Sequence, residues 1–150
     1  MKIFIDVNVF IDVMTKRTGW SESLRVLNLV RRSPEIDSST SALTLPLIYY
    51  FRRRVVDETT ARADAQAILK GVQLVALSQA ILNLAHVSVG PDFEDNIQIA
   101  SAQSISANHL ITRNKKDFGT SQITVLSPEE WLVLSEVAAL EAKIKRTSGS

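Results

Sequence analysis

The chain begins with an unbroken apolar block, Ile3-Phe4-Ile5, that stops at Asp6 and carries Asn8 two residues further on. A branched and aromatic run with no polar alternation is the pattern of a strand covered on both faces. Strands of that kind belong to parallel sheets, whose crossover connections lay helices over both sides. The opening therefore demands an α/β architecture and sets Asp6 at the C-terminal end of its first strand, where ligand sites of open α/β sheets lie. A carboxylate held at such an edge stays ionised only beside a cation or several donors. A divalent metal is the natural partner.

The remaining sequence continues the alternation. Helical signals cover Val9 to Met14, then, after a polar break at Lys16 to Gly19, a second helix capped by Ser21 with Leu24, Leu27 and Val30 on one face, ending near Ser33-Pro34. Ile36 to Ser39 reads as a short strand, and Pro46 fixes the first turn of the helix that follows it. Asp57 caps a helix to Leu69 that Gly71 closes, Val72 to Leu77 is a strand, and Ser78 caps a helix through Leu84. A turn is expected at Val87 to Pro91, a helix opened by Asp92, Glu94 and Asp95 over Phe93 to Ser104, and strands at His109 to Thr112 and Ile123 to Leu126. Ser127-Pro128-Glu129-Glu130 combines a cap, a first-turn proline and a capping-box glutamate. The expected fold class is a three-layer α/β/α domain with a mainly parallel central sheet. At 150 residues and 45% hydrophobic composition, one domain spanning 1–144 can bury about 70% of its unfolded surface, leaving 145–150 as a flexible tail.

Two strand ends, Asp6 with Asn8 and Thr112 with Asn114 and Asp117, are predicted to meet on one sheet edge, joined by the acidic helix start at Asp92 to Asp95. Gathered carboxylates repel one another unless a hard cation neutralises them, and an all-oxygen set selects Mg2+ or Mn2+ over zinc. Such an ion activates water or clamps a phosphate. Asp92 is expected as the helix cap and Asp12 as a helix residue near the site; Tyr49 and Tyr50 read as core or interface aromatics, and His86 and His109 have no ligand spacing.

Four segments taken in order resemble the PIN domain, the metal-dependent nuclease fold that includes VapC-like toxins. They are Ile5-Asp6-Val7-Asn8-Val9-Phe10-Ile11-Asp12, Ser41-Ala42-Leu43-Thr44-Leu45-Pro46-Leu47-Ile48-Tyr49-Tyr50, Asp92-Phe93-Glu94-Asp95-Asn96-Ile97-Gln98-Ile99-Ala100 and Ile111-Thr112-Arg113-Asn114-Lys115-Lys116-Asp117-Phe118. The resemblance covers the chain to about Trp131. It implies catalytic, metal-holding acids at Asp6, Asp95 and Asp117, with Glu94 as a further metal candidate and Asn8, Thr112 and Asn114 as supporting polar groups. One position departs: where many members carry a glutamate in the middle helix, this chain has Leu47, so either Glu94 or water is expected to compensate. The resemblance further implies an RNA substrate steadied by Arg113 and Lys115, a homodimer and a small antitoxin protein as partner.

Net charge of +1 gives no global field, so an anionic substrate cannot be argued from charge balance. The absence of cysteine excludes disulfides, thiolate metal sites and a cysteine nucleophile, and with no signal-peptide or membrane-spanning pattern a cytoplasmic location is expected. Two other readings compete. Asp6-Val7-Asn8-Val9 superficially resembles the aspartyl nucleophile of haloacid-dehalogenase-like phosphatases, but the second acid is replaced by Asn8 and the later acid pair after a glycine-rich turn is missing. Leu47 motivates the other, a PIN fold weakened in catalysis that serves as an RNA-binding or scaffold protein.

Overall fold

The computed structural model describes residues 1–90 and 92–149. Its sheet is built from β1 (Lys2–Ile5), β2 (Asp37–Ser41), β3 (Gln73–Val75), β4 (His109–Ile111) and β5 (Thr124–Leu126), ordered β3-β2-β1-β4-β5 and parallel throughout. Around it run α1 (Val7–Thr15), α2 (Trp20–Arg32), α3 (Thr44–Arg52), α4 (Glu58–Ile68), α5 (Gln79–Val87), α6 (Phe93–Ser104), α7 (Pro128–Leu132) and α8 (Ser135–Ser148), with a 3-10 turn at Lys115–Phe118.

The pleat sorts the opening block between two cores. Ile3 and Ile5 join the larger cluster with Val9, Phe10, Val26, Leu27 and Trp131, whereas Phe4 faces the other way onto Ile99, Ala102, Leu110 and Phe118. Helices therefore cover both faces, as the apolar block requires. Because β1 is central and the chain returns from β3 to place β4 on its other side, the strand order reverses between β1 and β4. That switch point opens a crevice at the strands' C-terminal ends.

Several boundaries differ from the sequence expectation. The helix after β1 starts at Val7, and α2 starts at Trp20 rather than from a Ser21 cap, because Gly19 occupies the cap position with a left-handed φ of 83°. The Ser21 hydroxyl donates instead to Glu22 at 2.7 Å. Strand β3 is shorter than expected, and α5 continues to Val87, so the anticipated turn begins at Ser88; its last residue, Pro91, lies outside the described residues. The capping box at Ser127 and Glu130 forms, but α7 ends at Leu132 and the chain then runs as α8 through Ser148, so most of the segment expected as a tail is helical. Ser150 lies outside the described residues. Among the described residues no helix is long and apolar enough to cross a membrane.

Candidate metal centre

Asp6 leaves β1 at the switch point. Its amide continues the sheet ladder to the Ile111 carbonyl at 2.9 Å, and its backbone then turns into α1 from the cap position. The carboxylate is not spent on a capping bond. Its Oδ2 accepts from the Thr112 hydroxyl at 2.8 Å and from Asn8 Nδ2 at 3.1 Å, whereas Oδ1 is buried and accepts no well-formed hydrogen bond among the described residues, although the Val7 and Asn8 backbone amides also favour the ionised carboxylate. Thr112 in turn accepts from the Asn114 amide at 3.0 Å, so the chain leaving β4 is tied to Asp6 through one hydroxyl. A second buried hydroxyl pair lies behind it: Thr40 Oγ1 donates to the Ile5 carbonyl at 2.7 Å and meets Thr44 Oγ1 at 2.8 Å.

The other acids arrive from helix starts. Asp92 caps α6, accepting from the Glu94 amide at 2.7 Å, and leaves Glu94 and Asp95 in the first turn. Asp117 sits in the 3-10 turn, held by a hydrogen bond from Asn114 Nδ2 and anchored by Phe118 buried in the core beneath. Helix dipole and cap favour acids at such starts, but not this many together.

The electrostatics show the strain of the gathering. Burial pushes the Asp6 carboxyl up to about 6, against the opposing pull of its Thr112 and Asn8 hydrogen bonds. Asp95 is raised to about 7, first by burial and then by the charges of Asp6, Asp92, Asp117 and Glu94. Glu94 is raised as well, by burial and by Asp92. Asp6, Asp117 and Glu94 are thus each brought within electrostatic reach of Asp95. Among the described residues no three Asp, Glu, His or Cys side chains are grouped tightly enough to enclose an ion as they stand. An orphaned, buried carboxylate oxygen amid mutually repelling acids is nonetheless the donor set that suits a hard divalent cation, whose charge would draw them inward. Leu47 adds no oxygen: its side chain packs against the larger apolar core.

Arg113 and Lys115, expected at a substrate, are committed elsewhere. The Arg113 guanidinium pairs with Glu129, donates to the Thr18 carbonyl at 2.8 Å and reaches Asp12 at 3.4 Å, lying so close to Gly19 that a Cβ there would collide with it. Lys115 Nζ is held by both oxygens of Glu130 at 2.7 and 2.8 Å. Asp12, expected only as a nearby helix residue, is almost fully buried and bound by Arg17 at 2.8 Å as well as by Arg113. Burial raises its carboxyl while these two arginines pull it down. The signal for this cluster was the five-residue step from Asp12 to Arg17 across a helix end, which marks a C-terminal ion pair only once Lys16 is known to turn left-handed (φ 52°). A polar cleft of about 790 Å³, lined by Asn8, Asp12, Lys16, Arg17, Arg113 and Asn114 among others, opens beside the acids.

Known proteins share this fold. The profile of the PIN domain family matches residues 2–116. Among curated proteins none matches in sequence at a significant level. The fold is similar to that of a toxin–antitoxin complex from Klebsiella pneumoniae (22% identity, 84% of this chain and 97% of that one, TM-score 0.62). VapBC-1 from nontypeable Haemophilus influenzae is comparable, at 17% identity, 86% and 99% coverage and TM-score 0.65. Mycobacterium tuberculosis VapC20, a toxin that cleaves the sarcin-ricin loop, matches at 16% identity, 72% and 86% coverage and TM-score 0.55. With a family profile spanning most of its length over a five-stranded parallel sheet that carries acids at its switch point, the chain belongs to the PIN domain family.

Proposed function

We propose that this protein is a divalent-metal-dependent endoribonuclease and the toxin of a toxin–antitoxin pair. The observation that carries the reading is the buried, partnerless Oδ1 of Asp6 among acids that raise one another's proton affinity. Asp6, Asp95 and Asp117 would hold Mg2+ or Mn2+, with Glu94 supplying the oxygen that Leu47 does not. When bound, such an ion polarises a phosphodiester and lowers the pKa of water beside it. The chain's own residues do the rest. Thr112 and Asn8 fix one oxygen of Asp6 and leave the other free to ligate, Asn114 holds Asp117, and Asp95 would be held deprotonated beside a bound cation.

RNA is the proposed substrate because a structural relative is a toxin that cleaves the sarcin-ricin loop. Its backbone would run through the polar cleft beside Asn8 and Asn114, where Lys16 supplies positive charge and Lys115 can exchange Glu130 for a phosphate. A small antitoxin partner is proposed from the toxin–antitoxin complex of similar fold. The homodimer is proposed from the family resemblance, and Leu84, Val87, Val89 and Phe93 are exposed apolar side chains available for such contacts.

A gel assay on single-stranded RNA tests the proposal. Cleavage should require added Mg2+ or Mn2+ and fall about 10²–10³-fold in Asp95→Asn at unchanged fold, the effect of roughly 3–4 kcal/mol of lost transition-state stabilisation. The core position of Leu47 favours one other reading, a catalytically weakened PIN protein that binds RNA. RNA that is bound but left intact with either metal would establish that reading instead.

A further inference from the structure

Gln98 stands out on α6. It is fully buried, and neither Oε1 nor Nε2 has a hydrogen-bond partner. An interior carboxamide with both ends unpaired is costly, and an apolar side chain of similar size would avoid the cost. Its place on the helix suggests what it awaits. Glu94 lies four residues and Asp95 three residues earlier, which puts both one turn above Gln98 on the same face, and long helical side chains lean toward the N-terminal turn. Both acids are partly buried, and among the described residues no donor reaches either carboxylate. Two acids without donors stand over an amide whose two N–H groups have no acceptor.

Resting on the metal-site reading above, we infer that Gln98 is a positioning residue: its Nε2 turns to donate to Asp95 and Glu94 when a cation draws these carboxylates together. The unpaired carboxamide is then a donor held in reserve.

The test measures Mn2+ affinity by calorimetry together with thermal stability in chelator, for the full chain and for Gln98→Leu, Gln98→Glu and Asp6→Asn. Gln98→Leu should melt at or above the wild-type temperature without metal, because two orphaned atoms are gone, yet bind Mn2+ about tenfold to a hundredfold more weakly. A residue that merely packs would show the opposite, with lowered stability and unchanged affinity. Gln98→Glu should also bind more weakly; tighter binding would overturn the donor role by making position 98 a direct ligand. If Gln98→Leu does not fold, Gln98→Met gives the same readout in a more adaptable side chain. Wild-type affinity in the apolar variant, with binding lost in Asp6→Asn, overturns this inference and leaves the metal site intact. A wild-type protein that takes up no Mn2+ overturns both.

Discussion

Buried Asp12 explains why Arg113 cannot serve the substrate first. Its carboxylate is removed from water and must be matched, and Arg17 and Arg113 divide that task while Arg113 also grips Glu129 and the Thr18 carbonyl. Removing one partner of a buried pair leaves an uncompensated charge, which costs more than the pair itself contributes. Arg113→Met should therefore lower stability by about 2–3 kcal/mol in urea unfolding at neutral pH, with Arg17 limiting the loss. Its effect should shrink at acid pH, where Asp12 takes up a proton. Arg113 is a structural tie at the margin of the cleft, a role that its neighbours Thr112 and Asn114 in the sequence do not disclose.

At the scale of elements, the loop between α1 and α2 is built around that tie. Lys16 and Gly19 both turn left-handed, so the chain reverses tightly and brings the Thr18 carbonyl and the Gly19 backbone against the guanidinium. Glycine is needed at position 19 on two counts, its positive φ and the absence of a Cβ. Gly19→Ala should cost about 1–3 kcal/mol, part of which disappears when Arg113 is also truncated to Ala, a coupling that a double-mutant cycle measures. The α7 start is a simpler case. Ser127 Oγ accepts from the Glu130 amide at 3.2 Å and Glu130 Oε2 accepts from the Ser127 amide at 2.8 Å, so Ser127→Ala should lower stability by about 1 kcal/mol in thermal or urea unfolding.

For the whole molecule, the acid site imposes a pH dependence with a definite sign. Folded Asp6 and Asp95 hold protons up to about 6 and about 7, whereas the unfolded chain releases them near 3.8. Between those limits the native state binds more protons, so metal-free stability falls as pH rises from about 4 to about 7 and levels off above. Melting in chelator should drop by on the order of 5 °C between pH 5 and pH 8. Saturating Mg2+ should flatten or reverse the trend, because the cation binds the deprotonated acids and competes with protons; a melting curve insensitive to Mg2+ at pH 8 would count against the site.

Local sequence determined much of this protein. Ile3-Phe4-Ile5 announced a doubly covered parallel strand, Asp57, Ser78, Asp92 and Ser127 marked their helix starts, and Asp6 at its strand end pointed to the switch point, because strand burial, capping and chain direction are short-range properties. What acids do to one another was not local. The pairing of Thr112 with Asp6 spans 106 residues, and Arg113 finds Thr18 and Asp12 across the sheet edge, so whether a charged side chain faces a partner or stands free was decided only when β4 settled beside β1. Gln98 looked like any polar helix residue until α6 was laid on β2 and the sheet closed over it. Burial converts a polar group into a constraint, and burial belongs to the folded molecule.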